Sequence, residues 1–304
     1  MITPINKAVK VESRGQALVN RVLSATLLIP LIAFVVYIGG WPLLVLGLLV
    51  GGLAAHEFSN LVRRAGHEPL YWFTLLAVLL MLLDGQMATT GMRLADGTTL
   101  ARPALSLVIL ASLTWQLVRH IEAREALTSW AFLFAGTMYI GWLLRYLLLL
   151  RGLDAALPDV ALPAGLAVSR GVLWLGIVVG GTWVCDTTAF FVGSAFGRHK
   201  LMPRISPSKS WEGTIGGVAA TCLWGAAAGQ LMSIGVLAGA GLGISLGVAA
   251  VLGDLGESLI KRGAAAKDSS RLIPGHGGLL DRLDSMLFAG VVGYYYLLLL
   301  GFAH

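Results

Sequence analysis

The chain has 304 residues, of which 57% are hydrophobic and only 12% charged, with a mean hydropathy of +0.79. That charged fraction is roughly half of what an ordinary soluble domain carries, which excludes a soluble globular protein and leaves a polytopic membrane protein. The net charge of +6 does not point to nucleic acid, because Lys and Arg are scattered over loops instead of forming a basic domain; topology and anionic lipid account for them.

With about 20 apolar residues needed to cross the hydrocarbon core, the pattern predicts nine transmembrane helices. They run approximately Val22 to Gly39, Trp41 to Glu57, Leu70 to Met87, Pro103 to Val118, Thr128 to Leu150, Gly171 to Phe196, Trp211 to Met232, Gly235 to Gly256 and Leu283 to Phe302. The first run is preceded by basic residues, but it exceeds a usual signal-peptide core and no A-x-A site follows, so a retained anchor is expected.

Lys and Arg test the count. With the N-terminus in the cytoplasm, the inside segments hold Lys7, Lys10, Arg14 and Arg21, then Arg63 and Arg64, then Arg119 and Arg124, then Arg198, Lys200, Arg204 and Lys209, then Lys261, Arg262, Lys267, Arg271 and Arg282. Arg93, Arg102, Arg151 and Arg170 fall outside, and Arg145 lies within a span. Positive charge concentrates in cytoplasmic loops, so the expected fold is an all-α polytopic bundle of about nine helices, N-terminus cytoplasmic and C-terminus outside. No connection has room for a core of its own. One integral membrane domain, 1–304, is expected, with N-terminal helices over 1–170 and catalytic helices over 171–304.

Cys185 and Cys222 fall inside helices with no CxxC, so neither a disulfide framework nor a zinc site is supported. Gly176 and Gly180, Gly213 and Gly217, and Gly239, Gly243 and Gly247 follow the small-xxx-small spacing that lets helices approach closely in lipid.

Acids in the apolar segments are the candidate functional residues, because an ionisable group at membrane depth costs several kcal/mol unless paired, ligated or hydrated. Asp186 lies toward the cytoplasmic end of the sixth span. Asp254, Glu257, Ser258 and Lys261 share one helical face at i, i+3, i+4 and i+7, with a Glu257–Lys261 salt bridge as the structural alternative. Asp281 and Asp284 open the last span behind Pro274-Gly275-His276-Gly277-Gly278. Helix capping accounts for one of these carboxylates, but not for the accompanying Lys261, Arg262, Lys267, Arg271 and Arg282. Carboxylates, cations and a glycine-rich loop at one membrane face suit a polyphosphate bound with Mg²⁺.

The segment SLIKRGAAAKDSSRLIPGHGGLLDRLD, Ser258 to Asp284, resembles the signature of the phosphatidate cytidylyltransferase family, S-x-x-K-R-x4-K-D-x5-P-G-H-G-G-x2-D-R-x-D, at every fixed position. CDTTAFFVG, Cys185 to Gly193, is similar to the family's D-x-x-A-[YF]-x-x-G helix, and SPSKSWEGTIGG, Ser206 to Gly217, to its S-P-x-K-[ST]-x-E-G segment. The likeness is strong over roughly Gly180 to Phe302 and weak before it.

The resemblance implies transfer of the cytidylyl group of CTP to phosphatidate, giving CDP-diacylglycerol and pyrophosphate. It implies a metal centre on Asp254 and Asp281, with Asp186 and Asp284 as further candidates, holding Mg²⁺ with K⁺ beside it. Lys209, Lys261, Arg262, Lys267 and Arg282 are expected on phosphate groups, and Ser258, Gly277 and Gly278 at the substrate. Asp268 and His276 complete the expected catalytic set. A phosphate monoester with a second pKa near 6 is largely dianionic at neutral pH, so positioning suits His276 better than general-base work. Expected partners are CTP, phosphatidate and a second copy of the chain, with no nucleic acid. The expected location is the bacterial inner membrane, with the loop 258–284 and the active site facing the cytoplasm. The rival reading is an ion-coupled transporter that uses Asp186, Asp254 and Glu257 as ion sites.

Overall fold

The computed structural model describes residues 26, 30–119, 122–153, 158–161, 167–270 and 277–301. Its helices are α1 (residues 30–38), α2 (Gly40–Arg64), α3 (Tyr71–Thr89), α4 (Ala101–Val118), α5 (Ala123–Gly152), α6 (Arg170–Phe196), α7 (Trp211–Leu231), α8 (Val236–Gly263) and α9 (Leu280–Leu299). Among the described residues, six of these, α2 to α6 and α8, are long and apolar enough to cross a membrane. The protein is an all-α membrane bundle in its essentials. The expected seventh and ninth spans are helical but fall short of that criterion. Of the expected first span, Val22 to Gly39, residues 26 and 30–39 are described, and 30–38 of these form α1.

Two small antiparallel hairpins, unforeseen in the sequence, interrupt the helices. Val160–Ala161 (β1) pairs with Ala167–Val168 (β2), and Lys200–Met202 (β3) with Ser206–Ser210 (β4). The second has a functional consequence. It turns the α6–α7 connection back over the bundle, and Ser210 at its end caps α7 by accepting the Gly213 N–H at 3.2 Å, as an N-cap serine does.

Helix lengths differ from expectation where they matter most. Helix α2 continues past Glu57 to Arg64, α8 runs on past Gly256 to Gly263, and α9 starts at Leu280 rather than Leu283. Glu257, Ser258, Lys261, Asp281 and Asp284 are therefore all helical. Within α5, Thr137–Trp142 is a turn of π-helix, a distortion often associated with functional sites.

Glycine sets the close packing of the C-terminal helices, as expected in a solvent where apolar burial alone drives little association. A Cβ on Gly229 would lie 2.7 Å from the Gly239 Cα, and Gly225 and Gly243 meet backbone to backbone in the same way. Gly213 and Gly217 oppose the Ala189 and Cys185 carbonyls of α6 at 2.7 and 2.8 Å measured from the same construction. Gly176 is the exception to the expected pattern, with nothing within 4 Å. Two apolar clusters fill the interior. One joins α2, α3 and α5 to the end of α8 and the start of α9, and the other joins α5 to α6, α7, α8 and α9. Outward faces stay apolar: Leu110 and Leu117 on α4 are 67% and 81% exposed, which suits lipid and not water.

Candidate functional site

Polar residues collect at one end of the bundle in two adjoining centres. The first is open. The β3–β4 hairpin carries Lys209 to Asp254, with Nζ 2.5 Å from Oδ2, so a cation from another element supplies the partner that helical spacing along α8 does not. The other Asp254 oxygen accepts the Ser258 hydroxyl at 3.3 Å. Asp254 and Lys209 line a cavity of about 510 Å³ shared with Asp186, Lys200, Ser208 and Ser210. Its lining also includes Ala189, Phe190 and Val251, so ionic and apolar groups share the cavity wall.

The second centre is closed. Lys261 forms ion pairs with both Glu257 and Asp281, the latter at 2.6 Å to Oδ1. The structural alternative for Glu257 and Lys261 is thus realised, and Asp281 joins it. The second oxygen of Asp281 accepts the Ser269 N–H at 3.1 Å, the Ser269 hydroxyl at 2.9 Å and the Gly278 N–H at 2.9 Å. Gly277 holds φ at +80°, a conformation that favours glycine, and this brings the Gly278 N–H onto Asp281.

The two centres meet where α8 crosses α9. A Cβ on Gly253 would lie 3.1 Å from the Ser285 Cα and closer still to the Asp284 carbonyl. This absent side chain lets the backbones touch one residue away from Asp254. Asp284 uses Oδ1 to accept the Ser285 N–H at 2.6 Å and lies within electrostatic reach of Asp254 and Asp186.

Other expected site residues are placed differently from one another. Arg262 donates to the carbonyls of Ile205 and Ala266 at 3.1 and 3.2 Å, fastening the hairpin to the end of α8. Lys267, Asp268 and Arg282 are exposed, and the Asp268 carbonyl accepts from Arg64 at 3.4 Å. His276, with Arg271, Pro274 and Gly275, lies outside the described residues.

Sequence reasoning missed Glu57. It is fully buried and accepts four hydrogen bonds from the signature segment: the N–H groups of Leu279 and Leu280 at 2.9 and 2.8 Å, the Ser269 hydroxyl at 3.1 Å, and the Ser270 hydroxyl. An acid inside a long apolar run was the available signal, obscured by ending the second span at that residue. The buried Asp84–Arg145 pair, 2.9 Å apart, was also not foreseen. Asp84 accepts the Ala101 N–H at 2.6 Å and Arg145 lies over the Trp142 ring, so this pair serves helix packing.

Among the described residues no group of three or more His, Cys, Asp or Glu is gathered as a self-sufficient metal site. The oxygen donors nevertheless fit Mg²⁺, which takes one or two carboxylates and completes its shell with water and phosphate. Asp254 faces the cavity, and Asp281 Oδ1 accepts from Lys261.

These features define an integral membrane protein with a carboxylate and ammonium centre at one end of its helix bundle. The chain belongs to the cytidylyltransferase family, whose model matches residues 19–300. It is 32% identical over 286 residues to the phosphatidate cytidylyltransferase of Brucella abortus biovar 1, covering 90% of this chain and 91% of that protein. It is 33% identical over 301 residues to that of Synechocystis sp., covering 92% and 97%. With the phosphatidate cytidylyltransferase of Mycobacterium leprae it shares 35% identity over 263 residues, covering 82% and 77%.

Proposed function

We infer that the protein transfers the cytidylyl group of CTP to phosphatidate, forming CDP-diacylglycerol and releasing pyrophosphate. Family membership supports the reaction class, and the cavity carries the substrate assignment. A cavity lined by Lys200, Lys209, Asp186 and Asp254 together with Ala189, Phe190 and Val251 suits a phosphate attached to an apolar tail. A transporter reading is less well supported, because the acids gather toward one end of the bundle.

The chemistry asks little covalent work of the protein. A phosphate oxygen of phosphatidate attacks the α-phosphorus of CTP in line, so alignment and stabilisation of charge on pyrophosphate dominate. Lys209 is the cation best placed to take phosphate oxygens, since it lines the cavity and holds a carboxylate that substrate can replace, whereas Lys261 is enclosed with Glu257 and Asp281. No general base is required for a dianionic phosphate, so none is assigned.

Mg²⁺ would be held by Asp254 and Asp281, with Asp186 and Asp284 alongside and K⁺ nearby, and would supply charge stabilisation and alignment. The N-terminus and the signature loop are placed in the cytoplasm, where CTP is available, with nine spans in a bacterial inner membrane. The distribution of Lys and Arg supports that orientation.

The test uses the full chain purified in detergent with CTP, phosphatidate and Mg²⁺. CDP-diacylglycerol and pyrophosphate in equal amounts, lost on omission of phosphatidate or addition of EDTA, is the expected result. Absence of the nucleotide lipid from the complete mixture would refute the assignment.

A further inference from the structure

Glu57 is a buried carboxylate on α2, a helix that contributes no residue to the signature, yet its four hydrogen-bond partners among the described residues all belong to the signature segment. Its Oε1 accepts the Leu279 N–H and the Ser270 hydroxyl; its Oε2 accepts the Leu280 N–H and the Ser269 hydroxyl. Among the described residues it has no ion pair. The first-turn N–H groups of α9 therefore provide much of what balances its charge, as a helix N-terminus does for an anion.

Ser269 extends this contact to Asp281. Its hydroxyl oxygen lies 3.1 Å from Glu57 Oε2 and 2.9 Å from Asp281 Oδ2. A hydroxyl has one proton to donate, so the two carboxylates compete for it, and the position of one depends on the other. Gly278 tightens the arrangement: a Cβ there would lie 2.9 Å from Glu57 Oε2 and would overlap the Ser269 hydroxyl. A side chain at 278 would thus separate the groups that Glu57 gathers.

We propose that Glu57 is a positioning residue for the active site, fixing the start of α9 and, through Ser269, the orientation of the Asp281 carboxylate. The proposal rests on the reading of Asp281 as a member of the catalytic centre. It assigns the N-terminal half of the chain a part in catalysis that goes beyond enclosing the site. Residues 269–270 and 279–280 meet at this one carboxylate, so α2 acts as the fixed support against which the Asp281 carboxylate of α9 is set.

Glu57→Gln tests it, because the amide has nearly the same shape but turns one acceptor into a donor facing the N–H and hydroxyl groups already there. The full-length variant in detergent is compared with the unmodified protein and with Asp281→Asn. The readouts are kcat, KM for CTP, thermal midpoint, and the Mg²⁺ concentration that half-saturates the thermal shift produced by Mg²⁺ alone. The expected result is a fall in kcat of about 10-fold or more and a weaker Mg²⁺ response, on the scale seen when a group orienting a metal ligand is changed, with KM for CTP within about twofold. Ser269→Ala, which keeps the bonds from Glu57 to Leu279 and Leu280, is expected to shift both readouts in the same direction by less.

Unaltered kcat and Mg²⁺ response in Glu57→Gln, with Asp281→Asn impaired, would overturn the positioning role while leaving the function intact. Should Glu57→Gln not fold, unaltered kcat and Mg²⁺ response in Ser269→Ala would overturn it equally. Full activity in Asp281→Asn would instead remove the reading on which the proposal rests, and the proposal with it.

Discussion

The Asp254–Lys209 and Asp281–Lys261 pairs resemble each other as ion pairs and differ in what surrounds them. Asp254 and Lys209 retain 30% and 20% side-chain exposure and line the cavity, whereas Asp281 and Lys261 retain 14% and 13%. Asp254 spends one oxygen on Lys209 and the other on a long serine contact. Asp281 uses one oxygen for Ser269 and Gly278 and the other for Lys261, which also holds Glu257 on α8. An open pair can exchange its partner for a substrate at small cost to the fold. A closed pair cannot, because removing one member strands charge away from water.

The comparison is broken most severely at the open centre. Asp254→Asn is expected to lower kcat roughly a thousandfold, equivalent to about 4 kcal/mol of lost transition-state stabilisation, with the protein still folded. Product formation and a thermal melt in the same detergent check both halves. At the closed centre, Lys261→Met leaves Glu257 and Asp281 buried without their shared cation, and a loss of about 3 kcal/mol in stability is expected. Lys209→Met, the matched change at the open centre, should lower kcat/KM for CTP while moving the thermal midpoint far less. Equal midpoints for these two methionine variants would contradict the distinction between the centres.

Two smaller changes refine it. Gly253→Ala pushes α8 away from the Asp284 and Ser285 backbone, and overpacking of this kind costs about 1 to 3 kcal/mol; activity should fall with stability, because the joint between the centres is disturbed. Arg262→Met is the least damaging, since the side chain bonds two carbonyls at an exposed position. A change within about 0.5 kcal/mol in stability is expected there, and an activity loss as large as that of Lys209→Met would show that Arg262 leaves those carbonyls to take phosphate.

Much of the site was legible because its residue types are improbable in lipid. Asp186, Asp254, Glu257 and Asp281 stand out from any apolar run, and the spacing of Glu257 and Lys261 foretold their pairing. Less legible were partners brought in by chain reversal. Nothing in local periodicity links Lys209 to Asp254, since the β3–β4 hairpin makes that contact across the bundle. Glu57 shows the same limit over a longer reach, its partners lying more than 200 positions away in the chain. The glycine spacing on α8 correctly marked close packing, but the opposing residues Gly225 and Gly229 were not identified, and Gly176 carried the pattern with no neighbour to meet.

Composition and hydropathy alone determined that the chain is a helical membrane bundle, because the bilayer requires long apolar segments and every backbone polar group satisfied within them. The signature pattern alone marked the chemistry, because a polyphosphate needs carboxylates, cations and close backbone approach together. Tertiary structure decided which carboxylate faces the cavity and which is enclosed, which lysine serves which acid, and that Glu57 supports the start of α9. Those outcomes depend on contacts between helices and a hairpin distant in sequence, where burial and geometry, not residue type, set the role of a charge.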